Sequence, residues 1–192
     1  AYFRDNYAHS DEKIVYFIGR LVREKGVHVL INAAQEVLAH NYNVKFVISG
    51  EGPAQMWLED QAVRLGIREK ILFTGYADEK LRNNLYQIAD VAAFPSLYEP
   101  FGIVALEAMV TKTPVIVSDV GGFSEIVQHN RNGLKVYPGD SASLAHNLLR
   151  VLSEKNLAAN LITNAYQEVK TEYNWKTIAK QTIDIYQDVL RE

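Results

Sequence analysis

The 192-residue chain contains no cysteine, which excludes disulfide staples, thiol nucleophiles and Cys-ligated zinc. A reducing compartment suits such a chain, and the cytoplasm is the expected location. It also lacks a surplus of positive charge: 20 Lys+Arg face 23 Asp+Glu, a net charge of −3. A nucleic-acid binder leans on the opposite imbalance, so no nucleic-acid partner is expected. No apolar run approaches the roughly 20 residues that span a bilayer, so no transmembrane segment is expected. The stretch Ala1-Tyr2-Phe3-Arg4-Asp5-Asn6 lacks the apolar core and cleavage pattern of a secretory signal. Residues 1–12 are mostly polar and do not begin with Met, and read as a linker remnant of a longer protein; residues 13–192 read as one domain.

What is present is ordinary globular material, 48% apolar and 22% charged, enough for one well-filled core. Short β-branched runs predict strands at Ile14–Ile18, Val44–Ser49, Ile71–Thr74, Val91–Phe94, Val115–Val117 and Leu134–Val136. Their near-continuous apolar character fits strands covered on both faces. Helical stripes alternate with them: Val27, Leu30, Ile31, Ala34, Val37 and Leu38, then Leu58, Ala62 and Leu65, then Leu81, Leu85 and Ile88 with Asp78 as N-cap. Ile103–Val110 and the shorter Phe123–Val127 continue the series. This alternation predicts a Rossmann-like, doubly wound parallel α/β sheet of about six strands. After Ser141 the pattern is helical only, over Ser141–Glu154, Asn156–Lys170 and Trp175–Arg191, with Asp140 or Ser141 capping the first. Three helices exceed what the sheet needs, so part of their surface is expected to face another domain.

Ligands of open parallel sheets bind beyond the carboxyl ends of the strands, which directs attention to the βα loops. After the first strand, Gly19 and Gly26 bracket Arg20 and Lys25, cations able to clamp phosphate oxygens; a solvated loop with Glu24 paired to a neighbour is equally compatible. Gly50-Glu51-Gly52-Pro53-Ala54-Gln55 begins like a dinucleotide fingerprint, yet Gln55 replaces the third glycine and no acid closes the third strand, which disfavours a nicotinamide cofactor. Gly75-Tyr76 offers backbone groups to a base, or is a simple turn. The richest stretch runs from Phe94 through Pro95, Ser96, Glu99, Pro100, Phe101 and Gly102 to Glu107. Two prolines stiffen it. Gly102 opens a helix whose first N–H groups, near Ile103 and Val104, have no intrahelical partner and attract phosphate. Glu107 leans back over that turn, where a ribose diol would suit it; Glu99 can accept from a sugar. Two Glu residues could also form a glycosidase acid/base pair, but that leaves the intervening Pro-Phe-Gly unexplained. Gly121-Gly122 reads as a second backbone nest for anions or as a flexible turn.

Taken in order, Gly19-Arg20-Leu21 with Lys25-Gly26, Gly50-Glu51-Gly52-Pro53, Gly75-Tyr76, Pro95-Ser96, Glu99-Pro100-Phe101-Gly102 with Glu107-Ala108-Met109, Thr113-Pro114-Val115, Gly121-Gly122 and Asn132-Gly133 resemble the C-terminal, nucleotide-sugar-binding domain of family-4 glycosyltransferases of the GT-B fold. The match runs from about Lys13 to the end and includes Trp175. The resemblance implies a retaining transferase that moves a hexose-type sugar from a nucleoside diphosphate to an acceptor. It assigns Arg20 and Lys25 to the diphosphate, Glu99 with the backbone of Phe101, Gly102 and Ile103 to the sugar, Glu107 to the ribose and Gly75-Tyr76 to the base. It implies no cofactor beyond the donor itself and a missing N-terminal domain holding the acceptor site, through which any peripheral membrane contact would be made. With no Asp-x-Asp in the chain, metal-independent donor binding is expected. Lys112 departs from the pattern, standing where the family commonly has glycine. A non-catalytic nucleotide-binding module and a sugar-nucleotide epimerase of related fold are the competing readings.

Overall fold

A computed structural model describes residues 3–40 and 43–191. Ala1 and Tyr2 of the expected linker and Glu192 of the expected domain lie outside the described residues, as do Asn41 and Tyr42. Six parallel strands, β1 (Lys13–Ile18), β2 (Val44–Ser49), β3 (Ile71–Gly75), β4 (Val91–Phe94), β5 (Val115–Ser118) and β6 (Leu134–Val136), form one sheet in the order β3-β2-β1-β4-β5-β6. Each expected strand agrees to within one residue at either end. Strands β4 and β5 are buried along their whole length, as their unbroken apolar runs require. Edge strand β6 is short and alternates Leu-Lys-Val, with the middle residue half-exposed.

The helices are α1 (Val27–Ala39), α2 (Gln55–Arg64), α3 (Glu79–Ile88), α4 (Ile103–Val110), α5 (Gly121–Ile126), α6 (Ser141–Ser153), α7 (Lys155–Glu172) and α8 (Trp175–Val189). Helix α1 packs on α2 and α6, and α4 on α5 and α7. Chain order reverses between β1 and β4, so right-handed crossovers put these two groups on opposite faces of the sheet. A row of rings lies beneath the β4 end: Phe17 to Phe94 is 6.3 Å between centroids, and Phe94 to Phe123 is 6.1 Å and stacked. Such pairs add about 0.5–1.5 kcal/mol each to the burial of their area. They give the loops above a rigid floor.

Three local features differ from the sequence expectation. Helix α5 begins at Gly121 rather than Phe123, because both glycines are inside its first turn. Described residues of the supposed linker are docked on the domain: Arg4 donates to the carbonyls of Ile88 (2.8 Å) and Glu12, Ala8 is buried, and Glu12 is buried 2.6 Å from the Lys70 ammonium. Burial pushes the Glu12 carboxyl up, but hydrogen bonds from Lys70 and the His9 N–H outweigh it and hold it below the ordinary value. A polar composition concealed this attachment, since one arginine and one buried acid suffice. Helix α8, in contrast, buries none of its described residues, and Trp175 is 86% exposed.

Lys112 has a left-handed backbone, φ +62°, which explains why glycine suits that position. Its ammonium lies 4.7 Å from the centroid of Tyr166, a ring it shares with Lys170 at 5.4 Å.

Candidate functional site

All the loops singled out in the sequence emerge from the same, carboxyl edge of the sheet, because every strand is parallel. Helices α1 and α4 follow the two central strands. Each is headed by a left-handed glycine, Gly26 (φ +69°) and Gly102 (φ +79°), and neither has a side-chain cap. In α4 the first N–H with a backbone acceptor is that of Ala105, leaving those of Ile103 and Val104 without an intrahelical partner. Two positive helix ends therefore open onto one edge.

The loops are locked together through their backbones. A Cβ at Gly26 would fall 1.8 Å from the Pro95 carbonyl oxygen, so only glycine permits the approach. The Leu97 N–H donates to the Glu24 carbonyl at 2.7 Å, fastening the β1 and β4 loops. Gly50 and Gly52 lie against the backbone of Gly19 and Leu21, and the Gly50 N–H donates to the Gly75 carbonyl at 2.8 Å. A Cβ at Gly121 would lie 2.1 Å from the Glu99 carbonyl oxygen, which instead accepts the Gly122 N–H at 2.9 Å. The Gly121-Gly122 pair is thus a joint that holds the Glu99 loop; the Gly122 N–H is not open to an anion.

Within this frame the Lys25 ammonium sits 2.7 Å from Glu99 Oε2. Glu99 is buried, at 7% exposure, and its other contacts are longer: the Ser96 hydroxyl donates to Oε2 at 3.3 Å and the Gly102 N–H to Oε1 at 3.4 Å. One of the two sequence readings of the first loop pairs Glu24 with a neighbouring cation. The structure corrects this: the acid paired with Lys25 comes from 74 residues further along the chain. The ammonium keeps two donors for a ligand. Arg20 is exposed, with no hydrogen bond or ion pair of its side chain among the described residues. It lines a recess of about 270 Å³ with Ile18, Gly19, Gly50, Glu51, Tyr76 and Ala77, in which Tyr76 is 71% exposed. Phe101 and Ile103 are also exposed beside the α4 end, whereas Val104 is half-buried.

Glu107, one turn into α4, is enclosed by groups that sequence reasoning missed. The Arg82 guanidinium of α3 lies 2.9 Å from Oε1, and the Tyr86 hydroxyl is 3.4 Å from Oε2 and 3.2 Å from the Val104 carbonyl. Tyr16 of β1 meets Tyr86 edge-on at 5.1 Å. Burial pushes the Glu107 carboxyl above its ordinary value, against the Arg82 charge and the Tyr86 hydrogen bond, which pull it down. Burial likewise raises the Tyr86 phenol. Arg82 and Tyr86 stand four positions apart, one face round from the Leu81–Leu85 stripe, a spacing that marks a shared helix face but not what lies opposite it.

The chain matches the family model described as "Glycosyl transferases group 1" over residues 1–168. It is 45% identical over 177 residues to an uncharacterized glycosyltransferase of Methanocaldococcus jannaschii, covering 92% of this chain and 45% of that protein. It is 36% identical over 170 residues to a glycogen synthase of Mycobacterium tuberculosis, covering 88% of this chain and 41% of that one. The crystal structure of Anabaena HepE in complex with UDP and glucose superposes with a TM-score of 0.88 at 27% identity, covering 97% of this chain and 51% of that one. The chain thus spans about half the length of the relatives it matches. On the family match and the fold together, the chain belongs to the group 1 glycosyl transferases and carries the Rossmann-like α/β architecture of GT-B glycosyltransferases.

Proposed function

We propose that this chain is the donor-binding half of a retaining glycosyltransferase, which transfers a hexose-type sugar from a nucleoside diphosphate to an acceptor held by a second, N-terminal domain. The observation that carries the reading is that two uncapped helix ends, Arg20, and Lys25 bonded to Glu99 all belong to loops at one edge of the sheet. In this reading the base enters the recess beside Gly75 and Tyr76, Glu107 accepts from the ribose diol, and the diphosphate meets Arg20, Lys25 and the N–H groups of Ile103 and Val104. Glu99, with Ser96 behind it and the backbone of Phe101, Gly102 and Ile103 beside it, accepts from the sugar hydroxyls. The UDP and glucose held by the Anabaena relative support this class of ligand.

The chemistry follows from where charge develops. The bond from sugar C1 to the diphosphate oxygen breaks, its electron pair leaves with the β-phosphate, and the acceptor hydroxyl oxygen bonds C1 while its proton passes to the departing phosphate oxygen. Negative charge grows on the leaving diphosphate, and preorganised donors stabilise it, about 3 kcal/mol for one well-placed group. The Lys25–Glu99 pair couples the two ends of the reaction: the ammonium faces the departing anion while its carboxylate partner grips the sugar. Charge neutralisation is assigned to these groups alone, so donor binding needs no divalent metal.

The test is titration of the chain with nucleotide sugars in the presence and absence of chelator. Binding that survives chelation, with little or no transfer by the isolated chain, is the expected result. Binding that vanishes with chelator and returns with magnesium or manganese would refute the metal-free account, and robust transfer by this chain alone would refute the two-half account.

A further inference from the structure

Glu107 has an environment that its assigned task does not favour. A carboxylate that accepts from both hydroxyls of a diol must stay ionised, because the protonated form has to donate one hydrogen itself and loses the strength of charge-assisted acceptance. Yet Glu107 is largely buried, its side chain only 24% exposed, between α4 and α3. The groups that act on it are Glu79, Arg82 and Tyr86 of α3, with Tyr16 of β1 behind Tyr86. Glu79 and the loss of solvent both favour the neutral acid; Arg82 and Tyr86 oppose them. Among the described residues no group of α5, α7, β4 or β5 lies within hydrogen-bond or ion-pair distance of its carboxylate. The Tyr86 hydroxyl has a single hydrogen and the nearer acceptor is the Val104 carbonyl, at 3.2 Å against 3.4 Å. Among the described residues Arg82 is the one cation on Glu107.

Arg82 is itself half-buried. Its side chain is 28% exposed, and its Nε is shielded from solvent without a partner among the described residues. The guanidinium reaches Glu107 through Nη1 and, among the described residues, its Nε donor is unspent.

We propose that Arg82 is a positioning residue of the ribose subsite, fixing Glu107 through Oε1 in the ionised arrangement that a vicinal diol requires. The inference rests on the reading of Glu107 as the ribose ligand. It goes further in making the preference for a ribonucleotide depend on a residue of another helix. A plain ion-pair staple between α3 and α4 would affect stability alone; a positioning role moves the pH dependence of diol recognition.

The experiment is calorimetric titration of the chain with UDP and with 2′-deoxy-UDP from pH 5 to 8, the guanosine and adenosine pairs run beside them. The ratio of the two affinities cancels the titration of the phosphates and isolates the diol. In the unaltered protein the preference for UDP falls as pH drops through the Glu107 pKa. In Arg82→Gln that fall moves to higher pH by at least about one unit, since an adjacent cation lowers a carboxyl by ~1–3 units. Arg82→Lys keeps the charge and recovers most of the shift, and it serves as the reading if the Gln variant fails to fold. Glu107→Gln loses the preference at every pH. An Arg82→Gln profile that coincides with that of the unaltered protein, whatever happens to its melting temperature, overturns the proposal while leaving Glu107 as the ribose ligand. A Glu107→Gln variant that keeps the full preference removes the ribose reading, and the role of Arg82 with it.

Discussion

The helices that follow the two edge strands differ from those that follow the two central strands. Helices α3 and α6, after β3 and β6, are capped by carboxylates: Asp78 accepts from the Leu81 N–H at 2.7 Å and Asp140 from the Ser143 N–H at 2.9 Å. Helices α1 and α4, after β1 and β4, have a left-handed glycine in that place and no cap. An aspartate cap is worth about 1 kcal/mol over alanine but only about a few tenths over glycine, so the central helices forgo little by leaving that place to glycine. Where a helix only has to be stable, an aspartate supplies the anion; where the proposed diphosphate supplies it, the backbone is left open. Helices α2 and α5 are uncapped too, but the Gly122 N–H of α5 is already engaged by Glu99, so the open ends are not equivalent.

Four experiments would break or sharpen that contrast. The largest effect is expected from Gly26→Ala, whose new Cβ collides with the Pro95 carbonyl at a positive φ: a loss of about 4 kcal/mol in denaturant unfolding, with the loop contact opened. Unfolding like that of the unaltered chain would mean that the two central loops are not packed as described. Next is Lys25→Met, which strands the buried Glu99 carboxylate and costs about 3 kcal/mol together with nucleotide binding. Adding Glu99→Leu should restore most of the stability and none of the binding; recovery of both would dissociate the pair from the ligand.

Removing the outer caps is the matching control. Asp78→Ala and Asp140→Ala should each cost about 1 kcal/mol and leave UDP affinity unchanged. A tenfold loss of affinity in either would erase the distinction between edge and centre. Smallest is Lys112→Gly, remote from the site. Relief of left-handed strain, about 1 kcal/mol, is offset by loss of the cation–π contact with Tyr166, so the melting temperature should barely move.

The sheet was legible because its strands are buried on both faces: Val91–Phe94 and Val115–Ser118 leave no alternative to continuous apolar runs. The Asp78 and Asp140 caps were legible for a local reason, since a cap acts across three residues. The opening of α4 was readable in the same way from Gly102. What the sequence hid is tertiary. Nothing local pairs Lys25 with Glu99, because the contact exists only when β1 and β4 become neighbours at the switch point. Arg82 faces Glu107 for the same reason, through the crossover from α3 to α4. The docking of Arg4 and Glu12 was obscured by the polar residues around them. Trp175 and the apolar spacing of α8 gave a helix correctly, but that helix has no described buried residue to say what it meets.

The central claim is that the two uncapped helix ends, with Arg20 and Lys25, recognise the diphosphate of the donor. Calorimetry tests it most directly, by comparing UDP, GDP and ADP each with its own nucleoside, in chelator, on the unaltered chain and on Arg20→Ala. The account predicts that the preferred diphosphate binds at least about a hundredfold more tightly than its nucleoside and that Arg20→Ala weakens it roughly tenfold or more, the range of a charge-assisted hydrogen bond. Equal affinity for nucleoside and diphosphate, or an Arg20→Ala variant that binds like the unaltered chain, would contradict it.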